Sequence, residues 1–364
     1  MTQTEKSSEK ESPKRILITM GDPSGIGPEI ICKALINSNL DRSNLYAVVG
    51  VRQILELPAR RLEKPLKFEN LGDPGELFRK GGSSIQVLEP EGTASFEFEM
   101  GRPQATCGDV AFRCITSSIK QALANRCDAV VTAPICKEAL HAAGHTKWPG
   151  HTEIFRDLTG AETSALMLIA DRFRVIHVTN HIALSETPSL IKKDRIVDVI
   201  KLASDSLMRI DNRLPRLAVA SFNPHAGEGG LFGREEIDEI VPAVQEAERL
   251  GFNVQGPFPP DTIFPKMVGG VYDGVIAMYH DQGHIAFKLH NFRYNRERDE
   301  WDEVTGVNVT LGLPIIRTSV DHGTAFDLAG TGKASERSLL DAIHVASLLA
   351  GQSKKEKESV PNGS

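Results

Sequence analysis

The sequence predicts an α/β fold, and three observations carry that prediction. Apolar runs of five to seven residues recur along the chain, separated by longer segments with apolar residues at helical spacing. The runs are continuous rather than alternating, which suits strands covered on both faces by helices. Glycine and proline gather at the ends of the runs, where turns are needed. At 364 residues the chain suggests about two domains. No internal repeat is visible, and composition marks no domain boundary.

Taken in order, residues 1–13 and 353–364 have too little apolar content to offset the entropy of ordering, and they read as disordered tails. ILITM at 16–20 is the first strand; GDPSGIGPEI follows it, with Pro28 and Glu29 opening a helix. Proline suits a first helical turn because its missing N–H would have no partner there. A strand, glycine turn and helix start can hold an anion or cofactor on backbone N–H groups. This one lacks the GxGxxG spacing, so geometry alone explains the glycines equally well. YAVVG at 46–50 is the next strand, and Cys107 to Asn125 is a helix with Ala111, Ile115, Ile119 and Ala122 on one face. DAVVTA at 128–133, ALMLIA at 165–170, RVIHVT at 174–179, RLAVASF at 216–222 and DGVIAMY at 273–279 complete the strands. The charged segment His290 to Thr305 reads as a solvated loop or short amphipathic helix, with a substrate lid as the functional alternative.

Composition excludes several function classes. With 42 Lys+Arg against 48 Asp+Glu, a formal charge of −6 and 40% hydrophobic residues, the chain has no basic footprint for nucleic acid or for an anionic membrane surface. No uncharged apolar run approaches the roughly 18 residues that span a bilayer. The N-terminal MTQTEKSSEKESPKR lacks the apolar centre of a secretory signal, so a cytoplasmic location is expected. Cys32, Cys107, Cys114, Cys127 and Cys136 are odd in number and form no CxxC pair, so they read as reduced thiols filling the core.

Chemistry-bearing residues stand where runs end. His181, His225 and His280 each follow a strand, and ligands in open α/β sheets bind at the carboxyl ends of strands. Three imidazoles with an open fourth position make a catalytic divalent-metal site. Asp281 can orient the neighbouring His280 or take a proton. In WPGHTEIF, Thr152 fits a helix N-cap, or it joins His151 and helix-end N–H groups around an oxyanion. Lys288 lies eight positions beyond His280. Arg317 follows an apolar stretch, where a guanidinium needs either a carboxylate partner within the fold or a bound anion.

Together GDPSGIGPE, VTAPICK, GHTEIF, NPHAGEGG, GPFPPDTIF, YHDQG and VNVTLGLPIIRTSVDHGTAFDLAG cover the chain from about residue 15 to 350. They resemble the metal-dependent, NAD-linked dehydrogenases of the 4-hydroxythreonine-4-phosphate dehydrogenase family. The form YHDQGHIAFK, with His284 where the biosynthetic enzymes usually carry Leu, looks more like the branch acting on 4-phospho-D-threonate and 4-phospho-D-erythronate.

The resemblance implies an isocitrate and isopropylmalate dehydrogenase-like fold with an active-site cleft between two α/β domains. Residues 14–133 plus 309–352 would form one domain and 134–308 the other, with 290–305 as an insertion. A homodimer with shared active sites is implied as well. His181, His225 and His280 would hold Zn²⁺, Mn²⁺, Co²⁺ or Mg²⁺, and nitrogen ligands favour the first three. His151, Thr152, Lys288, Asn308 and Arg317 would bind a phosphorylated hydroxy acid. His322, Gly323, Thr324 and Asp327, in the stretch His322 to Gly330, would line the adenine side of NAD. Asp281 and Lys288 are the candidates for proton chemistry, during oxidation of a secondary hydroxyl followed by loss of CO₂. Lys288 and Asn308 are 20 positions apart, about twice the family's spacing, so the insertion bears on substrate identity. The biosynthetic 4-hydroxythreonine-4-phosphate reaction and oxidation of an aromatic cis-dihydrodiol dicarboxylate are the alternatives within the family. A zinc hydrolase or lyase without dinucleotide is the alternative outside it.

Overall fold

The computed structural model describes residues 12–351 except 63–64, 80–83, 95 and 298–299, with the backbone alone for 300–304. Apart from residues 12 and 13, the segments read as tails lie outside the described residues.

The seven apolar runs are strands. With the others they give β1 (Arg15–Thr19), β2 (Leu45–Val49), β3 (Phe68–Asn70), β4 (Ile85–Leu88), β5 (Ala129–Thr132), β6 (Ala165–Ala170) and β7 (Phe173–His177). Then come β8 (Leu217–Ala220), β9 (Val254–Phe258), β10 (Gly274–Ala277), β11 (Phe292–Asn295), β12 (Glu300–Val304), β13 (Val307–Leu311) and β14 (Arg317–Val320). Twelve of them make one sheet in the order β3-β4-β2-β1-β5-β14-β13-β6-β7-β10-β8-β9. Pairing is parallel throughout except around β13, which runs antiparallel to β14 and β6, and between β6 and β7. The α/β class expected from the sequence is therefore the observed one, on a mixed sheet.

Helices cover both faces. Ile16, Leu17, Ile18, Val48, Val130 and Val131 are fully buried, as continuous apolar strands require. A second cluster, including Phe173, Phe264, Met267 and Phe287, fills one face of the β6–β10 half. The predicted helix at 107–125 runs Ala105–Leu123. Pro28 lies in the first turn of the helix Gly27–Ile36. Gly21 has φ +75°, and a Cβ there would stand 2.4 Å from the Pro134 carbonyl oxygen, so only glycine closes the turn after β1. All five cysteines are free, four of them buried. No described helix is long and apolar enough to cross a membrane.

The charged segment differs from expectation. After the helix His280–Asn291, β11 and β12 form an antiparallel hairpin with Tyr294 opposite Trp301. Phe292, Tyr294 and Trp301 are strong strand formers, and Phe292 and Tyr294 repeat at a period of two. That local preference outweighs the high charge that suggested a loop or helix.

Candidate active site

Where the sheet changes from parallel to antiparallel, the ends of β5, β7, β10 and β14 surround a cavity of about 330 Å³. It is lined by His151, Thr152, His181, His280, Lys288, Asn308, Arg317, His322 and Gly323. Lys137, Glu153, His284, Ser319 and Asp321 complete its walls.

One end is built to receive an anion. His151 begins the helix His151–Thr159, whose N-cap is the extended Gly150, with no side chain capping the first turn. The sequence reading of Thr152 as a possible cap is thereby corrected: Thr152 lies inside the helix and lines the cavity, with first-turn N–H groups unclaimed by any cap. Arg317, only 2% exposed, donates to Thr310 Oγ1 at 3.1 Å and Thr132 Oγ1 at 2.7 Å. Its Nε is buried without a partner, and no carboxylate forms an ion pair with it among the described residues. Burial pulls the guanidinium down to about 9, with Glu153 acting weakly the other way. The guanidinium also lies 5.4 Å over the Phe155 ring, and a buried cation held by hydroxyls and a ring face, without a carboxylate, is stabilised by a bound anion. His151 is half-buried beside it, its Nε2 buried and unpartnered. Burial, then Arg317 and Lys137, hold its imidazole well below the ordinary histidine range, so it is neutral.

The other end carries imidazoles. His181 lies just beyond β7 and His280 opens the helix after β10; their ring centroids are 5.4 Å apart. Asp281 Oδ1 lies 2.7 Å from His280 Nδ1, an arrangement that fixes the tautomer and leaves Nε2 free. Asp281 is 70% exposed and so orients a ring rather than facing into the cavity. Burial pulls His181 below its ordinary value, which favours the neutral, ligating form.

His225 lies apart from this pair. It stands in the segment Pro224–Gly230, where His225 to Gly229 all have positive φ, and its exposed ring meets Glu228 Oε1 at 3.1 Å. This left-handed turn is anchored by buried Glu236, which accepts N–H bonds from Phe222 and Asn223 at 2.8 and 2.7 Å. Among the described residues no three His, Cys, Asp or Glu side chains of one chain converge on a point that would hold a metal. A single chain thus assembles two of the three histidines singled out from the sequence.

The stretch from His322 to Gly330 leads from this cavity to a second one of about 450 Å³, walled by Gly25, Pro28, Ile54, Leu57, Met100 and Gly330. Thr324 accepts the Ile26 N–H at 3.0 Å, tying the stretch to the glycine turn after β1. Asp327 lines neither cavity.

Sequence reasoning missed Lys137, which follows β5, and Asp321, which follows β14. The strand-end rule that selected the histidines applies to both. Asp321 has Oδ2 buried without a partner, and burial raises its carboxyl to about 6.

The model of the family described as pyridoxal phosphate biosynthetic protein PdxA matches residues 42–346. The chain belongs to this family. Among its relatives, D-threonate 4-phosphate dehydrogenase of Pectobacterium atrosepticum is 42% identical over 337 residues, 93% of this chain and 99% of that one. The 4-hydroxythreonine-4-phosphate dehydrogenase of Trichlorobacter lovleyi is 42% identical over 343 residues, 93% of this chain and 98% of that one. The crystal structure of 4-hydroxythreonine-4-phosphate dehydrogenase from Klebsiella pneumoniae superposes with a TM-score of 0.75 at 42% identity, covering 93% of this chain and 99% of that one. The PdxA-family cavity described above lies within the matched span.

Proposed function

We propose that this protein is an NAD-dependent dehydrogenase that oxidises a secondary hydroxyl of a phosphorylated C4 hydroxy acid, such as 4-phospho-D-threonate or 4-phospho-D-erythronate, with loss of CO₂. The observation that carries this reading is the buried Arg317, with hydroxyl acceptors and no carboxylate partner among the described residues, in the same cavity as the His181 and His280 pair. Near relatives with names of this type support it.

Arg317, Lys137, neutral His151 and the first-turn N–H groups offer cationic and donor contacts for one anionic end of the substrate. Lys288 and Asn308, which line the same cavity, suit the other polar end. Burial excludes water from Arg317 and from His151 Nε2, so each contact is stronger than it would be in solvent.

The donor set fits a divalent metal. Burial holds His181 below its ordinary value, and His280 and His225 each turn Nδ1 toward a carboxylate and keep Nε2 free. His181, His225 and His280 would hold Zn²⁺, Mn²⁺, Co²⁺ or Mg²⁺, with His225 coming from a second copy of the chain. Leu231 and Phe232, 74% and 49% exposed beside His225, support such a homodimer contact. The metal would supply Lewis acidity at the substrate hydroxyl, and NAD would accept the hydride. His322, Gly323 and Thr324 would lie along the dinucleotide, with Asp327 beyond them and the second cavity beside Gly330, where Ile54, Leu57 and Met100 meet Glu29, Lys33 and Arg61, suited to adenine.

The experiment is NAD reduction by the purified protein with Mn²⁺ or Zn²⁺, with and without chelator. The substrates are 4-phospho-D-threonate, 4-phospho-D-erythronate, 4-phosphohydroxy-L-threonine and an aromatic cis-dihydrodiol dicarboxylate. Chelator-sensitive turnover of a phosphorylated hydroxy acid, with release of CO₂, is the expected result. Turnover of the aromatic diol alone, or of none, overturns the proposal.

A further inference from the structure

The reaction needs a group that takes the hydroxyl proton, and the described cavity holds two carboxylates besides the exposed Asp281. Glu153 lies in the first turn that carries His151 and acts electrostatically on both Arg317 and His181, and its oxygens are not among the buried atoms left without a partner. Asp321 sits elsewhere. It follows β14 directly, its Oδ2 is buried and without any hydrogen-bond partner, and its electrostatic neighbours are Lys288 and His280 on the helix His280–Asn291. The Asn308 amide on β13, which donates to the Val320 carbonyl at 3.5 Å, helps to pull the same carboxyl down. A buried carboxylate oxygen left unpaired costs stability, and such groups concentrate where chemistry is done.

We propose that Asp321 is the catalytic acid–base of this site: Oδ2 takes the proton from the substrate's secondary hydroxyl and later returns it to carbon. The inference rests on the dehydrogenase reading above. In the first step the carbinol C–H bond breaks and its hydride carries two electrons to the nicotinamide. The O–H bond breaks with it, the proton passes to Asp321, and a ketone forms. In the second step the carboxylate carbon leaves as CO₂, and its bonding electrons form the enolate of that ketone. The carbon that lost CO₂ then takes the proton back from Asp321. The hydroxyl proton thus ends on carbon, and the sum releases no proton. A cavity-lining carboxylate whose Oδ2 no donor claims is placed to accept a proton and to return it.

The test compares wild type, Asp321→Asn and Asp321→Ala on whichever phosphorylated acid the wild type turns over. In Asp321→Asn, kcat should fall by about 10²–10⁴-fold, with KM and the calorimetric affinities for NAD and Mn²⁺ within about threefold of wild type. Asp321→Ala leaves room for a small carboxylate, and added formate should raise its rate by about tenfold or more, which a merely structural residue would not allow. Asp321→Asn with kcat within tenfold of an active wild type overturns this inference alone. So does an Asp321→Ala rate that formate leaves unchanged. A wild type inert on every acid overturns the dehydrogenase reading together with this one.

Discussion

The ring of His284 lies flat against that of His280, their centroids 3.6 Å apart and their planes inclined by 11°. His284 Nδ1 also meets the His280 carbonyl oxygen at 3.0 Å, one helical turn back. With Asp281 on its Nδ1, His280 is thus held by an in-plane hydrogen bond and by a facing ring. Gly283 on the same turn makes room behind the stack, since a Cβ there would stand 2.3 Å from His177 Nε2.

Replacing His284 with Leu keeps the volume roughly constant and removes the stack. The expected result is a fold of unchanged melting temperature and a Mn²⁺ affinity weaker by about tenfold or more, the usual cost of losing support behind a ligand. Calorimetry of metal binding checks it, and an unchanged Kd would mean that Asp281 alone holds the ring.

Arg317→Met should separate binding from stability. Wild type carries a buried guanidinium with two hydroxyl acceptors and no anionic partner among the described residues. A methionine of similar reach removes that desolvated charge, so thermal stability should hold or rise. Substrate should lose charge-assisted bonds of about 1.5–3 kcal/mol, or roughly 10- to 150-fold in kcat/KM. Steady-state kinetics beside a melting curve decides the matter; an unaltered kcat/KM would make Arg317 a packing residue.

How much of this was legible depended on whether a residue's surroundings impose a pattern. The seven apolar strands lie between layers of helices, and double burial writes itself as a continuous run, as in Ile16–Ile18 and Val130–Val131. β14 escaped for the opposite reason. Its Arg317 and Ser319 are polar because the strand carries cavity residues through the middle of the sheet, and Thr318 between them donates to the Ala342 carbonyl at 2.8 Å. The composition that marks the site therefore disguises the strand. β3 and β4, at the sheet edge, are short and interrupted by Glu69 and Gln86. Among site residues, His181 and His280 were legible as imidazoles at strand ends. Asp321 was not, because its strand was not recognised and an aspartate before a glycine-containing turn is commonplace. The separation of His225 from that pair is a fact of tertiary placement that no local spacing encodes.

Asp273 predicts part of the acid behaviour of the fold. Its buried carboxylate accepts bonds from both Arg213 guanidinium nitrogens at 2.8 and 2.6 Å, and from the Arg216 backbone and side chain at 2.7 to 3.1 Å. Burial alone would raise the carboxyl, but the two arginines outweigh it and hold it well below the carboxylate range. A carboxyl depressed in the folded state adds stability above its unfolded pKa of about 3.9 and loses it as pH falls below that value. Because both guanidinium groups are half exposed, Asp273→Asn should cost about 1–2 kcal/mol at pH 7. The gap between wild type and variant should narrow as pH falls from about 4 toward 2. Urea midpoints at pH 7 and pH 3 read this directly, and a gap that does not shrink would assign the loss to packing.

The placement of His225 makes a prediction about pairs of chains. One chain brings His181 and His280 to a common cavity and leaves His225 on an exposed left-handed turn. If a second copy delivers that ring, His225→Ala and His280→Ala proteins are each inactive as homodimers, because each lacks a ligand at both sites. A mixed dimer is different. One of its sites receives both substitutions, and the other receives wild-type His181 and His280 from one chain and wild-type His225 from its partner. Random mixing makes about half the dimers mixed, with one of two sites intact, so recombining the two inactive proteins should restore about a quarter of wild-type activity. Exposed His225 carries little of the fold, so His225→Ala should melt within a degree or two of wild type. Activity after mixing is measured at protein concentrations that allow subunit exchange, with Mn²⁺ present. Sites contained within one chain would leave every mixture dead, since no chain in it would carry both histidines.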